Sequence, residues 1–302
     1  MTGVAPLLSP APAVGVVVAT SERGELPVAA AARLARMSST GAVTSLLSVP
    51  SALGARSAGF DPVGDVMGAV SARIGWRGSG LLDYTTMRPH PGTVTSGSGR
   101  GSGGFGPYVR AVYRSYDVAV DRMTAEATAL RADGVVGVSI EVTEDEAGGR
   151  HVVARGSAVR ARGRTSAERV FLADLSGIEV SALLRGGWIP VTMVWGVSVG
   201  VRPTDWTAAQ QMRWSAGTAE VTGYTDLVTA VRADAREQLN RRVRTAGADG
   251  VIVSGNVLLE HSDVRVEATI RGTAIARFSS SESRQESRTV PVLPLGPVRR
   301  RS

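Results

Sequence analysis

The chain has 302 residues, 43% of them hydrophobic, so about two domains are expected, each large enough to bury a core of its own. It contains no cysteine, which excludes disulfides, thiolate metal centres, iron–sulfur clusters and cysteine nucleophiles. The net charge of +7 is the excess of 34 basic residues, all arginine, over 27 acidic ones, spread thinly along the chain.

Residues 1–23, rich in Ala, Pro and Val, read as a flexible leader. They lack a basic n-region and are broken by Pro6, Pro10 and Pro12. No apolar run in the chain approaches the roughly 20 residues a membrane helix needs, so a cytoplasmic protein without a membrane span is expected. Leu26–Met37, Ala-rich with Pro27 at its start, predicts a short helix.

From here the chain repeats itself. Gly59-Phe60-Asp61-Pro62-Val63 returns 128 residues later as Gly187-Trp188-Ile189-Pro190-Val191. Ala132-Asp133-Gly134-Val135-Val136 and Gly156-Ser157-Ala158-Val159 return 116 residues later as Ala248-Asp249-Gly250-Val251-Ile252 and Gly272-Thr273-Ala274-Ile275. Blocks in one order at near-constant spacing imply a tandem duplication. The expected organisation is a leader with a short helix over 1–40, a first repeat over 41–163, a linker over 164–170, a second repeat over 171–278 and a disordered basic tail over 279–302.

Within each repeat, Ser48 or Ser176 suits the N-cap of a short helix, and Gly59 or Gly187 a left-handed stop after it. The extended runs Pro62–Ile74 and Pro190–Val201 predict buried strands, with Gly68 and Gly196 where another backbone approaches closely. The first repeat then inserts a Gly/Ser-rich loop over 89–106. A long helix follows: Val112, Tyr116, Ala119, Met123, Ala127 and Leu130 mark its buried face, and Arg122 and Glu126 form an i, i+4 pair on its polar side. The matching register in the second repeat is Val228, Arg232, Ala235, Leu239, Val243 and Ala246. Each repeat closes with a hairpin, turning over Glu144–Arg150 and over His261–Asp263. The expected fold class is α+β, with three strands against one major helix in each repeat.

The residues Ala129-Leu130-Arg131-Ala132-Asp133-Gly134-Val135-Val136-Gly137 and Gly156-Ser157-Ala158-Val159, with their counterparts at Gly247–Ile252 and Gly272–Ile275, resemble the YbjQ family. The Gly-(Phe/Trp)-x-Pro-Val block resembles the extension of actinobacterial tandem versions. The resemblance covers about 45–163 and 173–278. It implies tandem β-α-β-β domains similar to dodecin subunits, assembled into homo-oligomeric rings, commonly pentamers. The family carries a "putative heavy-metal-binding" label, and it brings no catalytic residues to carry over.

Single motifs are weak beside the repeat. Gly196-Val197-Ser198-Val199-Gly200 matches a nucleophile elbow, with Asp249 and His261 in triad order, but its duplicate Gly68-Ala69-Val70-Ser71-Ala72 lacks the serine register. Gly101-Ser102-Gly103-Gly104-Phe105-Gly106 matches a dinucleotide loop without a strand leading into it. His90, His151 and His261 occupy no common position; His261 with Glu260 and Asp263 is a conceivable metal site. Glu144, Asp145 and Glu146 read as a solvated tip, and Asp133 and Asp249 as turn aspartates bonding nearby backbone. Arg155, Arg160, Arg162, Arg164 and Arg169, and the terminal Arg299-Arg300-Arg301, could meet an acidic partner, but no nucleic-acid module accompanies them. The function expected is a non-enzymatic oligomeric cytosolic scaffold or ligand-sequestering protein, with metal binding, or a hydrolase using Ser198, as alternatives. No cofactor is expected.

Overall fold

The computed structural model describes residues 26–40, 45–74, 93–96, 105–145, 149–163, 169–201, 222–262 and 265–278. The chain begins with α1 (Val28–Thr40), followed by α2 (Val49–Ser57) and β1 (Phe60–Arg73). A two-residue strand, β2 (Val94–Thr95), precedes the long α3 (Gly106–Ala129) and the hairpin of β3 (Gly134–Glu144) and β4 (Gly149–Ala161). The short β5 (Phe171–Leu172) opens the second half, which repeats the pattern as α4 (Gly177–Arg185), β6 (Trp188–Val201), α5 (Thr222–Thr245), β7 (Gly250–Ser262) and β8 (Arg265–Arg277). This is α+β, with two β-α-β-β units.

The repeated sequence blocks do equivalent structural work in the two units. Ser48 and Ser176 cap α2 and α4, the latter in a full capping box with Glu179. Gly59 (φ +85°) and Gly187 (φ +80°) turn the chain out of those helices in the left-handed region. A Cβ on Gly68 would lie 2.5 Å from the Met123 amide nitrogen, and one on Gly196 2.6 Å from that of Leu239, so each major helix rests directly on its first strand. After α3 and α5 the chain again turns left-handed, at Arg131 (φ +54°) and Gly247 (φ +68°). A non-glycine residue bears that conformation in one unit only.

Three sequence expectations differ from the structure. Arg122 and Glu126 do not pair on a polar face: Glu126 is 2% exposed, and it accepts the edge N–H of Met67 at 2.8 Å and pairs with Arg33 of α1. Arg122 donates to the Ala69 carbonyl at 2.6 Å. Both side chains thus cap the free edge of β1, a site the helical period cannot reveal. In α5 the buried stripe is Leu227, Val231, Ala235, Leu239 and Val243, one residue earlier at its start than expected, which leaves Arg232 exposed. The second hairpin is also tighter, since β7 runs through His261 to Ser262.

The two sheets are completed by exchange. The first has the order β1-β4-β3-β5 and the second β2-β6-β8-β7. Thus the first unit lends β2 to the edge of β6, where Val94 pairs with Val201. The start of the second unit lends β5 to the edge of β3, in parallel. The faces stack likewise. Val66, Val70 and Val152 of the first sheet and Trp195, Val197 and Val199 of the second belong to one core built around α3. Alternate β6 residues face the other way, where Gly196 meets α5. Among the described residues the layer order is sheet, α3, sheet, α5, so α3 is covered on both faces and α5 on one.

Candidate functional site at the junction of the two units

Three tyrosines of α3 hold the second sheet. The Tyr108 hydroxyl donates to Glu267 Oε2 at 2.5 Å, and Tyr113 receives the edge N–H of Val197 at 2.9 Å. The Tyr116 ring lies 5.7 Å from that of Trp195. Glu267 is fully buried and accepts Arg150 Nη2 of the first unit at 2.8 Å, while Glu144 lies 3.2 Å from Arg150 Nε. Burial pulls the Arg150 guanidinium down, but the Glu267 carboxylate outweighs it, so the group stays charged. Burial, with Glu267 adjacent, pushes the Tyr108 phenol far above its ordinary range, and it remains a donor. A carboxylate in this position is tolerable because cation and hydroxyl meet it together.

On the other side of α3 the units diverge around a cavity of about 1460 Å³. Val120, Leu172, Met193 and Trp195 supply apolar wall, and the charged lining is mixed, with Arg131, Arg169 and Arg242 beside Asp117, Asp121 and Asp133. Arg242 reaches around the β6 edge from α5; its guanidinium sits 4.3 Å from the Tyr113 ring centroid and 5.1 Å from that of Trp195, with Asp117 Oδ1 at 3.1 Å. Mixed lining and position between units fit a small-molecule site.

The second-unit leader is fastened by Asp174, which accepts from the Ser254 and Thr273 hydroxyls. Burial pushes its carboxyl above the ordinary range, only partly opposed by those hydroxyls. The folded state therefore favours the proton: the stabilising contribution is complete below the unfolded value of about 3.9 and is lost as pH rises through the higher folded value. Asp174→Asn is expected to flatten the decline of stability above about pH 4 relative to wild type, read as urea midpoints across the range. An unchanged slope would show that Asp174 is not its source.

The singled-out residues are scattered rather than gathered. Ser198 is fully buried within the continuous strand β6, facing α5, where it donates to Asp234. It stands at no strand-to-helix turn, so the elbow geometry is contradicted. Asp249, its supposed triad acid, accepts the Arg277 N–H at 2.8 Å, and Asp133 accepts that of Ala161 at 2.7 Å. The two aspartates do bond backbone, though 28 residues away rather than nearby: they lock each helix exit to the end of its sheet. His151 Nδ1 meets Ser71 Oγ at 2.8 Å, and its Nε2 lies 3.4 Å from Asp145, which also accepts the Gly149 N–H at 2.6 Å. His90, Glu146, Asp263, Arg164, Gly101–Gly104, Arg299–Arg301 and the His261 side chain lie outside the described residues. Among the described residues no three His, Asp or Glu side chains converge as metal ligands, and no helix is long and apolar enough to cross a membrane. Arg155 pairs with Glu141, Arg160 donates to the carbonyls of Leu130 and Arg131, and Arg162 pairs with Asp61. Among the described arginines of that stretch, only Arg169 reaches the cavity.

Sequence reading missed Tyr108, Tyr113, Arg150, Trp195, Arg242 and Glu267. A signal existed: Tyr113, Trp195 and Arg242 stand where the other copy has Thr229, Met67 and Glu126, so the junction is written in the differences between copies.

Fold and junction together define a two-unit α+β protein whose halves share strands and one central helix. The YbjQ_1 family, described as "Putative heavy-metal-binding", matches residues 99–162. The chain is 30% identical over 247 residues to the Encapsulin nanocompartment protein Rv1762c of Mycobacterium tuberculosis (strain ATCC 25618 / H37Rv), a match spanning 78% of this chain and 86% of that protein. The chain belongs to the YbjQ-like family.

Proposed function

We propose that the chain is a non-enzymatic cytoplasmic building block that self-assembles into rings and serves a protein nanocompartment as scaffold, with the junction cavity sequestering a small ligand. The observation that carries this reading is the strand exchange between units: neither sheet is complete without the other half, an economy suited to units that stack into larger arrays. Likeness to a relative named as an encapsulin nanocompartment protein supports it, and the cavity beside Arg131, Arg169 and Arg242 supports the ligand. Native mass spectrometry of untagged protein tests both parts at once. Whole multiples of the 31.4 kDa chain are expected, with a constant added mass per subunit. A monomer at every concentration would remove the scaffold, and assemblies of bare chain mass would remove sequestration.

A further inference from the structure

The two halves of the joint between the units recur elsewhere in the molecule. One is a leading segment over Ser45–Leu47, whose Leu46 N–H and Ser45 hydroxyl meet the Ser157 hydroxyl of their own unit. The other is an edge strand with no strand on its outer side among the described residues. In the joint, the segment before α4 runs parallel to β3: the Ala173 N–H donates to the Val135 carbonyl at 2.9 Å, the Val138 N–H to the Ala173 carbonyl at 3.0 Å, and the Gly137 N–H to the Leu175 carbonyl at 2.8 Å. Helix α4 then crosses α2 so closely that a Cβ on Gly177 would lie 2.8 Å from the Ala55 nitrogen, and the Gly177 N–H donates to Ser51 Oγ at 2.7 Å. Ser181 continues the contact, with its hydroxyl 3.0 Å from that of Ser57.

The receiving strand has an equivalent, β7, which is outermost in its sheet. It carries the same bulge, at Val253/Gly255 where β3 has it at Val136/Ser139. Val253 and Val257 are 43% and 42% exposed on it. The lending segment also has an equivalent, the stretch before α2. Offset by the 128-residue repeat, Asp174, Gly177 and Ser181 become Leu46, Val49 and Leu53. These are 57%, 74% and 61% exposed. Large apolar side chains thus face solvent on the first unit where the second unit makes its contacts. Val49 in the place of Gly177 requires the helices of two copies to cross farther apart than α4 and α2 do, and β7 has no strand on its outer side among the described residues.

We infer that a second copy of the chain docks head to tail, its Ser45–Leu47 segment adding in parallel to β7 near Val251–Ser254 and its α2 crossing α4. This deepens the self-assembly reading and rests on it. Donor and acceptor are different surfaces, so the contact is heterologous: it closes into rings holding an even number of units or runs on as a filament. The helix-on-sheet part of the joint is weaker between copies than within one. Where α3 has Tyr113, Tyr116 and Val120, α5 has Thr229, Arg232 and Arg236; where the second sheet has Trp195, Val197 and Val199, the first has Met67, Ala69 and Ser71. Assembly is therefore concentration-dependent, and the strand and short helix anchor it.

Two surface variants test the geometry. Val49→Asp/Leu53→Asp blocks the donor and Val253→Asp blocks the acceptor, all at exposed positions where the fold tolerates charge, which circular dichroism checks. By mass photometry, wild type forms assemblies, each variant alone is a monomer, and an equimolar mixture gives dimers and nothing larger, because one intact donor and one intact acceptor remain. If both variants assemble like wild type, or the mixture stays monomeric, the docking surface is wrong while self-assembly stands. If wild type is itself monomeric throughout, the self-assembly reading falls and this one with it.

Discussion

Gly196→Ala is expected to lower stability by about 3 kcal/mol, at the upper end of the usual cost of overpacking a core. The added methyl would sit 2.6 Å from the Leu239 nitrogen and closer still to the Ala235 carbonyl. Both are helix backbone, which cannot rotate away as a side-chain tip would. Relief requires α5 to lift from β6, stripping contact from Leu239 and Val243. Gly68→Ala should behave alike in the first unit, against Met123. Gly187→Ala supplies the contrast. It stands at φ +80°, and nothing lies within 4 Å of the point its methyl would occupy, so only left-handed strain applies, about 1–2 kcal/mol. Urea midpoints for the three variants check the order; a Gly196→Ala protein as stable as wild type would disprove direct helix-on-strand contact.

Glu267→Ala is expected to cost about 3–5 kcal/mol, because it leaves a buried cation with only the solvent-exposed Glu144 to balance it. Arg150 is 2% exposed and its Nη1 already has no hydrogen-bond partner among the described residues. Deleting the carboxylate leaves that guanidinium, and the Tyr108 hydroxyl, without the acceptor between them. Removing all three polar groups together, as Glu267→Leu/Arg150→Met/Tyr108→Phe, should recover most of the loss, since a packed apolar replacement carries no desolvation cost. Chemical denaturation of the single and triple variants decides it: equal loss in both would mean that the network acts by shape and not by charge. The ion pair joins β4 of one unit to β8 of the other, so the same measurement reads how tightly the halves are coupled.

Legibility of the sequence followed the range of the interactions. The repeat blocks announced both units because each marks a local backbone need: Gly59 and Gly187 for a left-handed exit, Gly68 and Gly196 for room beneath a helix. Helix periodicity located α3 but described only one of its faces, since a helix covered on two sides carries two overlapping stripes. Glu126 was misread for that reason: a carboxylate on a helix looks solvated until the edge N–H of Met67 is known to face it. The candidate site was least legible of all. Weighing motifs by whether both copies keep them passes over Trp195, Tyr113 and Arg242, which differ between copies because only one copy forms the inner junction.

What the amino-acid order determined alone is therefore the unit: its strands, its major helix, the turns between them and the absence of thiol chemistry, all set by contacts close in sequence or by backbone constraint. Tertiary structure alone decided how the two units join, which strand each lends the other, and that Arg150 and Glu267, 117 residues apart, share one buried site. Those pairings depend on apolar faces and open strand edges that look alike in both copies, and only their mutual burial distinguishes the face that is covered from the one left for a partner.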